Sequence, residues 1–135
     1  MNEFNAVEQW IIKVAEDMQS ADVLLSVGLI DNSCYFSQQA GEKALKAYLV
    51  QFMNEVPYTH NLGHLCQLCI EYDESFIDIF RISSDLTTFA IRTRYPNATT
   101  YTAEDAEEAI QKASRIFMFV QERIDLNNNT SEVTP

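Results

Sequence analysis

Between Ser33 and Asn54 the chain spells a helix that is apolar around most of its circumference. Phe36, Ala40, Ala44, Leu45, Ala47, Tyr48, Leu49 and Phe52 fill a wide arc, and Gln39, Glu42, Lys43 and Lys46 are left with a narrow one. A surface helix carries its apolar residues on one stripe. A helix apolar this far round belongs at the centre of a bundle, in a subunit interface, or in both. Gly41 falls inside the apolar arc, where glycine costs about 1 kcal/mol against alanine. Close approach of a neighbouring helix is the reason to expect for it.

The rest of the chain supplies helices to cover this one. Phe4, Val7, Trp10, Ile11, Val14, Met18, Ala21 and Leu25 recur at three- and four-residue steps on one stripe. Gly28 ends that stretch, and Asp31-Asn32-Ser33 offers an N-cap for the central helix. Pro57 and the polar run from Tyr58 to Asn61 interrupt the pattern. A short helix fits Leu62 to Tyr72, and Asp73 or Ser75 can cap a fourth that carries Phe76, Ile79, Phe80, Ser83, Leu86 and Ala90 on one face. It must stop near Arg94, because Pro96 disfavours helical geometry at Tyr95. Thr102 followed by Glu104 and Asp105 reads as a capping box, and Ala106, Ala109, Ile110, Ala113, Ile116, Phe117, Val120 and Ile124 make the fifth stripe. The expected fold is all-α: an up-and-down bundle of four long helices plus one short helix. It occupies residues 1–126, and the polar residues 127–135 read as a disordered tail.

Charge narrows the function classes. Nine Lys and Arg stand against 20 Asp and Glu, a net charge of −11. Such a chain makes a poor generic binder of duplex DNA or of an anionic membrane. No apolar run approaches the ~20 residues of a membrane span. Met1-Asn2-Glu3-Phe4 lacks a basic leader-type start, so a cytoplasmic location is expected. Cys34, Cys66 and Cys69 are odd in number and make a poor disulfide framework. Cys66-Gln67-Leu68-Cys69 has the spacing of a metal or redox pair but lacks a second ligand pair and a preceding strand, so core packing is the expectation and no metal is assigned.

Two segments escape the acidic background. Residues 33–64 balance Lys43 and Lys46 against Glu42 and Glu55. Residues 81–101 hold Arg81, Arg92 and Arg94 against Asp85, which leaves −13 for the remainder. Both histidines, His60 and His64, lie in the first of these segments. A cleft between the two segments would draw a phosphate despite the global charge, because local potential decides. Arg94, projected as helix, falls on the seam of Phe76 and Ala90. An inward arginine at a helix end needs an acid, a carbonyl or an anion.

Four ordered matches then point to a family. Cys34-Tyr35-Phe36-Ser37-Gln38-Gln39-Ala40-Gly41-Glu42-Lys43-Ala44-Leu45-Lys46-Ala47-Tyr48-Leu49 resembles the second-helix signature of the HEPN domain family (higher eukaryotes and prokaryotes nucleotide-binding). Thr59-His60-Asn61-Leu62, Arg92-Thr93-Arg94-Tyr95-Pro96 and the alanine-rich last helix from Glu104 resemble its later motifs, so that the likeness spans about residues 5–125. The resemblance implies a helical bundle, commonly a homodimer, without a cofactor. In prokaryotes such a bundle is often the partner of a minimal nucleotidyltransferase in a toxin–antitoxin-like pair. Many members are metal-independent ribonucleases with an arginine followed four to six residues later by histidine. Here both histidines precede every arginine, at 81, 92, 94, 115 and 123, so that order is absent.

Two functions follow as expectations. One is a binding and interaction module holding a nucleotide or other phosphate-bearing ligand. Lys43 and Lys46 would donate charge, Arg94 would clamp phosphate, Tyr95 would pack or stack, and His60 and Arg92 would complete the site. The other is a ribonuclease acting on RNA with a rewired site of His60 and Arg94. For Gln39, Lys43, His60 and Arg94 a purely architectural role, capping helices and tying loops, is the alternative.

Overall fold

The computed structural model describes residues 5–92 and 101–133. Its helices are α1 (Ala6–Ser26), α2 (Ile30–Leu49), α3 (Leu62–Tyr72), α4 (Phe80–Arg92) and α5 (Ala103–Val133), and a 3₁₀ turn over Glu74–Ile79 leads into α4. There is no strand among the described residues. Helix α2 is central: it packs along α1 on one side and α5 on the other, and it also touches α3 and α4. Its position answers its composition. Ala40, Ala44, Leu45, Ala47 and Leu49 are all fully buried, and each such leucine contributes about 1.5–3 kcal/mol by leaving water.

Local chemistry sets most helix ends. Asn5 caps α1, its side-chain oxygen accepting from the Glu8 amide at 2.8 Å. Gly28, with φ +84°, makes the left-handed turn that separates α1 from α2. Asn61 caps α3 by accepting from the His64 amide at 3.1 Å. Asp73 opens the 3₁₀ turn by accepting from the Ser75 amide at 2.9 Å. Thr102 and Asp105 form a reciprocal capping box: Asp105 accepts from the Thr102 amide at 2.9 Å, and Thr102 accepts from the Asp105 amide at 3.1 Å.

Four boundaries differ from the sequence expectation. The fourth helix, expected from Asp73 or Ser75, opens as the 3₁₀ turn over Glu74–Ile79 and becomes α4 only at Phe80. Helix α2 begins at Ile30, before the Asp31-Asn32-Ser33 cluster, and its N-cap Leu29 makes no side-chain hydrogen bond. Ser33 is committed elsewhere: buried, it donates to the Ala21 carbonyl at 2.7 Å and stitches α2 to α1. Helix α2 also ends at Leu49, not Asn54, because Gln51 and Phe52 amides turn back onto the Tyr48 and Leu49 carbonyls. Phe52 thereby leaves the core, 45% exposed, and stacks on Tyr72 with ring centroids 4.6 Å apart. Finally, the backbone of α5 stays helical to Val133, through most of the stretch expected to be a disordered tail. No proline or glycine stands between Ala103 and Val133 to stop it.

The Cys66–Cys69 pair packs in the core. Both thiols are fully buried, and Cys66 Sγ donates to the Phe76 carbonyl at 3.4 Å. Burial pushes the Cys66 thiol up to about 11 and moves Cys69 further in the same direction. Since the thiolate is the reactive species, a thiol reagent at pH 8 should leave both cysteines unmodified in the native protein and label them once denaturant unfolds it. Rapid labelling of Cys66 without denaturant would contradict this packing.

Gly41 has the close approach its position predicts. A methyl group there would lie 2.8 Å from Leu62 Cδ2 and 2.9 Å from Leu86 Cδ2, with Ile116 Cδ1 at 3.4 Å. All three neighbours are fully buried, so they have little room to yield. Gly41→Ala should therefore destabilise the protein by about 1–2 kcal/mol in urea unfolding, even though the same change helps an isolated helix by ~1 kcal/mol.

Candidate functional site

From the sequence, the polar arc of α2 is expected to face solvent. The structure buries part of it: Glu42 and Lys46 are 4% and 7% exposed. With helices against α2 on several sides, little of its surface is left for solvent. A charged group in such a place needs partners, and the structure supplies them. Lys46 Nζ donates to Glu42 Oε2 at 3.0 Å. His60 Nδ1 lies 2.9 Å from Glu42 Oε1. Gln38 Nε2 donates to the His60 carbonyl at 3.1 Å and lies 3.5 Å from Glu42 Oε1. The Trp10 ring of α1 closes the far side, its centroid 5.9 Å from Lys46 Nζ.

This network clamps the loop between α2 and α3. Its His60 end is fixed to α2 through both side chain and carbonyl. Its Leu62 end is fixed to α4, where Thr87 Oγ1 accepts from the Leu62 amide at 2.9 Å. Between them, Thr59 accepts from the Asn61 amide at 3.2 Å. The His60 side chain is nevertheless 56% exposed. One edge of the imidazole meets a buried carboxylate and the remainder meets solvent, which suits a group that is held in place and presented outward.

The sequence-derived candidates separate into three groups. Lys46 and His60 converge on Glu42. Lys43 does not join them: it reaches α1 and pairs with Asp17 at 2.7 Å, with Asp17 nearly buried. Arg94 and Tyr95 lie outside the described residues, as does the side chain of Arg92. Gln39 is an architectural residue, donating to the Gln38 side chain at 2.9 Å. Glu42 and Gln38 are site residues that sequence reasoning does not single out. The one available signal is the Glu42–Lys46 spacing of four, which reads as a surface pair until α2 is known to be central. Among the described residues no cluster of three His, Cys, Asp or Glu side chains is arranged to hold a metal ion. No helix among them is long and apolar enough to cross a membrane.

The fold and site thus define a class: a small helical bundle whose central helix fixes a histidine-bearing loop through a buried carboxylate. The chain belongs to the HEPN family, whose domain model matches residues 7–124. It is similar to the crystal structure of TT1696 from Thermus thermophilus, at 28% identity and a TM-score of 0.79, covering 88% of this chain and 98% of that one. It is also similar to the crystal structure of ST0689, an archaeal HEPN homologue, at 30% identity and a TM-score of 0.71, covering 90% of this chain and 99% of the other. It is 26% identical over 130 residues to a Methanocaldococcus jannaschii protein named "Putative toxin MJ1304", with 84% of each chain covered.

The Lys43–Asp17 pair separates architecture from ligand contact. Lys43→Ala strands a nearly buried carboxylate, and the cost should be about 1–3 kcal/mol, reduced from that of a fully buried pair because Lys43 keeps some solvent contact. Adding Asp17→Asn should restore most of the lost melting temperature. If Lys43→Ala leaves the melting temperature unchanged, the pair is not holding α1 to α2.

Proposed function

We propose that this HEPN-domain protein is a toxin-like binding and interaction module. It holds a nucleotide or other phosphate-bearing ligand beside the His60 loop and acts with a minimal nucleotidyltransferase. The observation that carries the reading is His60: half exposed, on a loop tied to the central helix by the Glu42 carboxylate and the Gln38 amide. Family membership and the toxin name of the Methanocaldococcus relative support it. Lys43 and Lys46 spend their charge on Asp17 and Glu42. Phosphate charge is therefore met by Arg92 and Arg94, with Tyr95 as a packing surface.

A partner or second copy would find apolar surface away from this loop. A groove of about 390 Å³ runs between the start of α1 and the later part of α5, with Val7, Ile11, Ile12 and Ile124 along it and Glu8 and Asp125 at its rim. Ile12 and Met118 are 42% and 64% exposed. Homodimerisation through such surface accords with the family reading.

The experiment is a calorimetric titration of the purified protein with a nucleotide panel and with the product of the adjacent gene, together with its oligomeric state by light scattering. Binding to at least one nucleotide is expected, weakened tenfold or more by Arg94→Ala. No heat with any nucleotide and none with the neighbouring product would sink the proposal.

A second reading keeps the same residues in an enzyme. The carboxylate–imidazole bond at 2.9 Å is the arrangement that orients a histidine as a proton acceptor. A metal-independent ribonuclease would use His60 for the attacking hydroxyl and Arg94 for the phosphorane charge. In that case His60→Ala abolishes cleavage of single-stranded RNA while circular dichroism stays native. Undiminished cleavage by the variant would exclude His60 from the chemistry.

A further inference from the structure

The loop that carries His60 also displays Tyr58. That side chain is fully exposed, and its ring lies 6.5 Å from the imidazole, centroid to centroid, inclined at 63°. A tyrosine wholly in water adds nothing to the core. The loop beneath it is held at His60 and at Leu62, so the ring stands on a fixed base beside the histidine. The second observation concerns the proton. A carboxylate can only accept, and Glu42 is held in place from its other oxygen by Lys46 Nζ. The neutral imidazole facing Glu42 Oε1 therefore carries its hydrogen on Nδ1, which leaves the lone pair on Nε2.

We infer that Glu42 is a positioning residue that holds His60 in the Nδ1–H tautomer, so that Nε2 accepts from a ribose hydroxyl while the Tyr58 ring stacks on the base of the same ribonucleotide. The inference rests on the nucleotide reading above and assigns the sugar and base, not the phosphate, to this loop. An Nε2 lone pair is matched to a hydroxyl donor and mismatched to a phosphate oxygen, which is itself an acceptor. The hydroxyl meant is the ribose 2′-hydroxyl, the group that distinguishes ribonucleotides from deoxynucleotides. Stacking on tyrosine tolerates any base, because every base has a π-face. The loop would thus select for ribose without selecting strongly among bases.

The test has a spectroscopic arm and a binding arm. Nitrogen-15 spectra of the intact protein, taken at alkaline pH, should show the Nδ1–H tautomer for His60. In Glu42→Gln the amide oxygen stays with Lys46, so the amide NH2 faces Nδ1 and the tautomer should switch to Nε2–H. In calorimetry with adenosine monophosphate, Tyr58→Ala should weaken binding at least fivefold and Tyr58→Phe should restore it. The 2′-deoxy form should bind the parent at least fivefold more weakly.

An Nε2–H tautomer in the parent protein, or unchanged affinity in Tyr58→Ala, overturns the inference while leaving nucleotide binding intact. Absence of any nucleotide binding by the parent overturns both this inference and the reading beneath it. Should Glu42→Gln fail to fold, the parent's tautomer and the Tyr58 variants still decide, since neither disturbs the core.

Discussion

The Glu42 carboxylate sits on the helix least able to accommodate it. Helix α2 is covered on several sides, and a charge there without partners would cost several kcal/mol. Three side chains answer that one group. Lys46 comes from the next turn of α2, His60 from the loop before α3, and Gln38 from the preceding turn. Because Gln38 also holds the His60 backbone, the groups that satisfy the carboxylate also set the course of the loop. Loop position and charge satisfaction are thus one constraint. A loop that moved away would take the His60 imidazole from Glu42 and leave Gln38 without its carbonyl.

The same economy runs along α1. Asp17 is nearly buried against α2 and is met by Lys43. Ser33 is fully buried and is met by the Ala21 carbonyl. These polar contacts add specificity to an interface that is otherwise apolar, since apolar contacts alone are non-directional. Gly41 acts in the opposite sense on the other side of α2. There Leu62 and Leu86 press so close that a methyl group does not fit. One side of the helix is registered by an ion pair and a buried hydrogen bond, the other by shape.

Much of the fold is legible in the sequence. Periodicity places α1 and α5, Thr102 announces a helix start, and the wide arc of α2 predicts its central place. Legibility fails where a local signal competes with a tertiary one. Asp31-Asn32-Ser33 looks like a cap, but Ser33 is needed by α1. Glu42 and Lys46 look like a surface pair, because a spacing of four says nothing about what lies above it. The site is half legible for the same reason. Histidine on a loop can be marked from the sequence, whereas the carboxylate behind it becomes visible only when the loop is seen folded onto α2.

The charge pattern takes on a different meaning in the fold. As sequence, residues 33–64 read as a locally neutral patch open to phosphate. Their two lysines are in fact matched internally, one to Glu42 within the segment and one to Asp17 outside it. Neutrality there reflects paired charges, not a surplus of cations. On the proposed reading, phosphate attraction then falls to Arg92 and Arg94 rather than to these lysines. In the proposed arrangement His60, its Nδ1 proton turned to the Glu42 carboxylate, offers a lone pair on Nε2 that can accept from a hydroxyl. In an envelope as acidic as this one, recognition through a neutral acceptor and an aromatic face also has an electrostatic consequence. Neither contact depends on overcoming the negative field around the bundle, whereas a purely ionic contact would have to overcome it at every encounter.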